Sequence, residues 1–316
     1  MKEKNKKDNF VYKNGNAYID INPRTGVKKR FMETNEDVYF PEFPENIDLN
    51  LSYYCEKGCS YCYLNASKNG RNLSEDIKSE DFIDYLNKIF KGAQSGLEIA
   101  MNINHGDDLR PVLFISEYLH RRNFIPNFTI DNKTFNSLEF EDLAEIAARC
   151  YAFGISIDNF HDYTRCKITE IALKGELKKD NTPEPQTVYH IINGLFNEED
   201  LLKIKNEKIL ILGYKENVGR AGNSHKDFSI STIKELMKNN SVSFDNLGVK
   251  QLKILEEFPN ESNYLFLGKD GDHSFYIDLV NKTFSISSTE KDKSMKINNR
   301  NIKEMFNEIR KIPKNI

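Results

Sequence analysis

Short alternations of apolar and polar positions open the chain. Residues 10 to 31, FVYKNGNAYIDINPRTGVKKRF, hold extended runs broken at NG and NPRTG, two strong turn signals, and predict a small β-meander. Two prolines in PEFPEN then mark a boundary. IDLNLSYYC alternates again and predicts a strand that runs straight into a group of cysteines. From there the period switches back and forth. SEDFIDYLNKIFKGA has a Ser cap and a helical apolar repeat, LEIAMNI reads as a buried strand, and RPVLFISEYLHRRN is helical again. IPNFTID, EDLAEIAARC, YAFGISID, ITEIALKG, TVYHIING, EEDLLKIKN, KILILGYK and ISTIKELMKNN continue the exchange.

Six strand-helix units of this kind predict an α/β fold in which helices cover a parallel sheet and functional loops leave the carboxyl ends of the strands. They are too few to close a full barrel, so an open, partial (β/α)6 TIM-like barrel with a wide mouth is expected. From residue 243 the pattern changes. VKQLKIL, NYLFLG, HSFYIDL and TFSIS, with turns at GKDGD and VNK, read as extended and predict an antiparallel cap able to pair with the amino-terminal meander. NIKEMFNEIRKI reads as a closing amphipathic helix. The expected division is an N-terminal β-meander extension over 1–46, the partial barrel over 47–242, and a C-terminal β-rich extension with its closing helix over 243–316.

Charge narrows the function classes. Lys plus Arg total 45 against 48 for Asp plus Glu, a formal charge of -3, so no strong pull toward nucleic acid or an acidic membrane is implied. The start MKEKNKKDNF lacks the apolar run of a signal peptide and reads as a solvated, frayed terminus. Apolar stretches such as KILILGY fall far short of the roughly 20 residues that cross a bilayer. A cytoplasmic protein is expected.

Five cysteines is an odd count, and Cys55, Cys59 and Cys62 crowd into YYCEKGCSYCYLN, too tightly for a sensible disulfide framework. Ligands spaced this way converge only if the loop curls, and Gly58 relieves the backbone at the bend. Soft thiolates suit zinc or an iron-sulfur cluster. A structural zinc site usually closes its tetrahedron with a second recognisable ligand pair, and Cys150 and Cys166 stand alone. Three cysteines on a four-iron cluster would keep one iron open for an outside ligand. Another three-cysteine metal site, or plain reduced thiols, are the alternatives.

The pattern C-x-x-x-C-x-aromatic-C, here Cys55, Cys59, Tyr61 and Cys62 after a strand, resembles the signature of the radical S-adenosylmethionine (radical SAM) enzymes, and the likeness spans about residues 47 to 240. The resemblance implies a 4Fe-4S cluster on the three cysteines, whose open iron chelates S-adenosylmethionine. One electron then breaks the sulfonium-carbon bond, and a deoxyadenosyl radical takes hydrogen from a substrate carbon. It also implies a low-potential electron donor of the flavodoxin or ferredoxin type.

In that family a G-G-E-P-like stretch after the second strand meets the amino group of the cofactor. The best match in LEIAMNINHGDDLRP puts His105, Gly106 and Asp107 there, with Asp107 a shorter acid and His105 in place of a glycine; Asn102 and Asn104 are alternative polar contacts. The bland reading of HGDD is a turn and helix cap. Asp131, Asn132, Ser156, Asp158 and Asn193 end strands, and the resemblance assigns such positions, Ser156 and Asp158 foremost, to the ribose hydroxyls and methionine carboxylate, against ordinary capping. Tyr61 shields the cluster or stacks near adenine, unless it is simply core. Lys215 and Arg220, in ILGYKENVGRAG, are placed near the mouth to hold a substrate carboxylate or phosphate, or as solvated charges on a glycine-bearing loop. His161 and His190 read as acid-base groups or satisfied core residues, Cys150 as packing, and Cys166 as packing or a thiol hydrogen donor near the rim. The substrate stays open between a small molecule and a peptide. The alternative function is a non-catalytic three-cysteine metal-binding or regulatory protein.

Overall fold

The structure, a computed structural model, describes residues 9–32, 38–180, 182–222, 225–261, 265 and 268–312. Strands β1 (Phe10–Asn14), β2 (Ala17–Asn22) and β3 (Val27–Met32) form the expected antiparallel meander. A second, ten-stranded sheet carries the rest. In it β4 (Asn46–Asn50), β5 (Glu98–Ile103), β6 (Ile125–Asp131), β7 (Ala152–Ser156), β8 (Gln186–Ile192), β9 (Lys208–Leu212) and β10 (Ser241–Phe244) lie side by side, all parallel. Helices α1 (Glu80–Ile89), α2 (Leu109–Arg121), α3 (Asn132–Ser137), α4 (Phe140–Arg149), α5 (Phe160–Lys179), α6 (Glu198–Leu201) and α7 (Ile230–Asn239) fall between successive strands. This is the α/β, partial TIM-like barrel that the alternation predicts.

Alternation along the strands explains why the sheet has two unlike faces. Ile47 and Leu49, Ile99 and Met101, and Phe128 and Ile130 point to the helices and are buried in one continuous core, each such side chain contributing about 1.5–3 kcal/mol of hydrophobic stabilisation. The residues between them, Asp48, Asn102, Thr129, Gly154 and His190 among them, face the lumen. The lumen is therefore polar.

The meander closes the amino-terminal end of this barrel. Phe10, Ile19 and Ile21 pack on Ile125 and Tyr151 at the strand starts. Lys28 pairs with Glu98 at 2.5 Å and with Glu45 at 3.4 Å, and Arg30 reaches Glu45 at 2.9 Å. The loop that carries Cys55, Cys59 and Cys62 leaves the opposite end.

The carboxyl-terminal segment differs from the expected antiparallel cap. VKQLKIL is not extended: residues around it fold as α8 (Asn246–Gln251), capped by Asp245, and α9 (Ile254–Glu257). HSFYIDL forms β11 (Ser274–Asp278), which pairs with β4 in parallel instead of with the meander. The physical reason is its burial, continuous from Phe275 to Asp278, which suits an inner position in a sheet with both sides covered. β12 (Thr283–Ser285) and β13 (Met295–Lys296) then add antiparallel, and α10 (Ile302–Lys311) closes the chain behind a capping box of Asn301 and Glu304. NYLFLG lies mostly outside the described residues, as does most of MKEKNKKDNF. Among the described residues no helix is long and apolar enough to cross a membrane.

Candidate metal centre

Residues 51–79 leave the carboxyl end of β4 as a long loop that braces itself. The backbone N of Cys55 donates to Ser67 O at 3.0 Å, Ser67 N to Tyr53 O at 3.0 Å, and Cys62 N to Cys59 O at 3.3 Å. Asn102 and Asn104, at the end of β5, both donate side-chain N–H groups to Ser52 O, at 3.3 and 3.0 Å. Tyr53 reaches β11, giving its hydroxyl to Asp278 Oδ2 at 2.6 Å. Neighbouring strands thus grip the loop where it departs.

Cys55, Cys59 and Cys62 are unpaired and partly exposed on this loop, whereas Cys150 and Cys166 are buried in the helical layer. Gly58 takes φ +63°, the bend that its place next to Cys59 predicts, and the space where its side chain would stand is open. Among the described residues no three His, Cys, Asp or Glu side chains gather closely enough to grip one metal ion. A tetrahedral zinc with bonds of about 2.3 Å draws its sulfurs to within about 4 Å of each other. A four-iron cluster gives each thiolate its own iron and spreads them further. Three soft thiols on one curled loop are a donor set of the kind that such a cluster takes.

The rim meets this loop through two charged contacts. Tyr61 donates to Asp158 Oδ1 at 2.6 Å, and burial, then the carboxylate, pushes the phenol up. Lys57 pairs with Asp131 at the end of β6; burial lowers its pKa, and the cysteines and Asp158 hold part of it up. Asp131 also caps α3, accepting from Lys133 N at 2.7 Å and Thr134 N at 2.9 Å, so its functional and capping readings coexist. Ser156 stands between Asp131 and His190 in the sheet register.

Other predicted residues are placed differently. Asp107 is exposed in a single turn after β5, where His105 Nδ1 accepts from its backbone at 3.2 Å. The buried carboxylate of that turn is Asp108, which accepts from the backbones of Asn104 at 2.9 Å and His105 at 3.2 Å. Asn193 is fully buried and serves the backbone of Phe228. His161 is exposed on α5, and Cys166 sits under Asn136 with burial pushing its thiol up to about 11. His190 lies across Gly154, whose missing side chain leaves the room that the ring occupies, and burial lowers its pKa to about 4.

Lys215 stacks over the Tyr63 ring at 3.5 Å and reaches Ser288 Oγ at 3.2 Å. Its charge is felt by Asp48, Asp245 and Asp270, and Asp48 is pushed up to about 6, chiefly by burial. Asp48 was not singled out from the sequence, although the polar row Asn46, Asp48, Asn50 inside a parallel strand signals a lumen face. Lys57 carried no sequence signal of its own. Arg220 is turned onto the thiol loop: its Nε donates to Cys59 O at 3.0 Å and its Nη1 to Ala66 O at 2.8 Å.

These features define a partial α/β barrel with a three-thiol loop at the carboxyl ends of its strands. No family model matches the chain, and no curated protein matches it. The fold is shared with Streptococcus suis SuiB bound to the precursor peptide SuiA, at 11% identity and a TM-score of 0.61, over 97% of this chain and 88% of that one. A second SuiB structure matches at 12% identity and a TM-score of 0.54, over 88% and 81%.

Proposed function

We propose that this chain is a radical SAM enzyme whose 4Fe-4S cluster is held by Cys55, Cys59 and Cys62. The observation that carries the reading is the set of three reduced thiols on one curled loop at the strand ends of a partial parallel barrel. Bound there with S-adenosylmethionine, the cluster supplies reductive cleavage of the sulfonium and hydrogen abstraction from a substrate carbon.

The chain's own residues bind and orient. Asn102 and Asn104 fix the start of the thiol loop, and the Tyr61–Asp158 and Lys57–Asp131 contacts draw it against the rim. Asn104, Asp107, Ser156 and Asp158 are the proposed cofactor contacts, with Tyr61 beside them, and Lys215 the cation for a substrate or cofactor carboxylate. The meander blocks the far end, so substrate enters at the thiol end. A peptide substrate is favoured over a free small molecule because the fold is shared with a protein crystallised with its precursor peptide. A flavodoxin or ferredoxin is the proposed electron donor.

Anaerobically reconstituted and reduced protein is expected to convert S-adenosylmethionine to deoxyadenosine and methionine. Absence of both products from protein carrying an intact four-iron cluster refutes the proposal.

A further inference from the structure

We infer that Arg220 is a positioning residue that turns the peptide N–H groups of Ser60 and Tyr63 toward the thiols. The inference rests on the functional reading above and extends it to a residue far from the signature in sequence.

Arg220 meets the thiol loop through four donations. Its backbone N donates to Cys62 O at 2.9 Å, its Nε to Cys59 O at 3.0 Å, and its Nη1 to Ala66 O at 2.8 Å and Asn65 Oδ1 at 3.3 Å. The guanidinium fork holds two main-chain carbonyls, Cys59 O and Ala66 O, and the backbone N of the same residue holds Cys62 O, so the contacts bear on peptide orientation as well as loop position. Gly219 makes the approach possible. It takes φ +62°, and a side chain there would lie 2.4 Å from Cys62 O and 2.6 Å from Tyr63 O.

A trans peptide is planar, so its C=O and the following N–H point opposite ways. Both carbonyls also accept from local turns, Cys59 O from Cys62 N and Cys62 O from Asn65 N, each at 3.3 Å; with Arg220 on the same oxygens, the N–H groups of Ser60 and Tyr63 are directed away from it. Among the described residues neither N–H donates to a protein acceptor. Two unused donors within one residue of Cys59 and Cys62 are suited to N–H···S hydrogen bonds, and such bonds make a cluster easier to reduce.

Wild type, Arg220→Lys, Arg220→Met and Gly219→Ala are to be reconstituted anaerobically without S-adenosylmethionine. Iron and sulfide are counted, the midpoint potential is followed by electron paramagnetic resonance, and exchangeable-proton couplings are compared in H2O and D2O. Arg220→Lys keeps the charge and loses the fork, and Gly219→Ala displaces Cys62 O and keeps the charge. Both are expected to move the midpoint to more negative values, by about a tenfold change in the reduction equilibrium, which is about 59 mV for one electron. Arg220→Met, which also loses the charge, should move it further, and the couplings should weaken in the same order. Wild-type potentials and couplings in both charge-preserving variants overturn the inference, as does a shift confined to Arg220→Met. Loss of the cluster from all three variants overturns it as well, because the latch then acts only on loop folding. A wild type that takes up no four-iron cluster is recognised at the first step and refutes the functional reading, and this inference with it.

Discussion

Tyr61 gives its hydroxyl to Asp158 Oδ1 at 2.6 Å, tying a residue between two of the thiols to the loop that follows β7. The bond joins positions 97 residues apart and is a side-chain tie between the thiol loop and the rim. Burial and the carboxylate both push the phenol up, so it stays protonated and donating at neutral pH.

Tyr61→Phe removes that donor without changing ring volume. A loss of about 1.5 kcal/mol is expected in urea denaturation, the lower end for a hydrogen bond to a charged group because the pair is only partly buried. Alkylation of the loop thiols should also quicken. Unchanged midpoint and alkylation rates would show that the tie contributes nothing.

The cysteines should separate cleanly. Alanine at Cys55, Cys59 or Cys62 is expected to abolish the visible absorbance of reconstituted protein, while alanine at Cys150 or Cys166 leaves it in place. Cys166 is buried and its thiol is held up at about 11, which keeps it protonated and inert toward iron. Retained absorbance after loss of any loop cysteine contradicts the ligand set.

Two lumen residues give opposite pH dependences. His190 has a folded value of about 4 against about 6.5 unfolded, so the unfolded chain binds the extra proton in that window and stability falls as pH is lowered through it. Asp48 has a folded value of about 6 against about 3.9 unfolded, so the native state binds the extra proton and stability falls as pH rises through that window. Relative to wild type, His190→Gln should gain as pH drops from about 6.5 to about 4, by up to about 2 kcal/mol. Asp48→Asn should gain as pH rises from about 4 to about 6, by less than about 1 kcal/mol, since Asp48 lies deep in the barrel yet faces a lumen that water reaches. Urea midpoints across pH 4 to 8 test both signs.

Lys28→Met tests the meander. Glu45 is almost fully buried between Lys28 and Arg30, and Glu98 shares Lys28. Removing the lysine leaves Glu45 with Arg30 as its paired cation, and a loss of about 2–3 kcal/mol is expected, short of the cost of a fully orphaned buried charge. A loss below about 0.5 kcal/mol would show that packing alone holds the meander.

Local periodicity made most of the barrel legible. The alternation in LEIAMNI and IPNFTID states which residues face helices, and it does so correctly because side-chain direction in a strand depends only on parity. The same rule misleads for VKQLKIL, where four apolar positions in seven suit either period and the Asp245 cap decides for helix. At the site, the three cysteines and Gly58 were legible because they are neighbours in sequence. The motif match puts Asp107 at the acid position, whereas the structure buries Asp108 and exposes Asp107; one residue of rotation in a tight turn separates them, and no sequence pattern specifies it.

By itself the sequence determined the alternation of strands and helices from β4 to α7, the polar lumen and the grouping of thiols on one loop, because each follows from residue type and spacing over a few positions. Tertiary structure alone decided that β11 lies beside β4, that the meander seals the far end, and that Arg220 latches onto Cys59 from 161 residues away. Those choices depend on which exposed strand edge, barrel end or carbonyl is left unsatisfied once the local elements have packed, and that is known only when the whole chain has closed on itself.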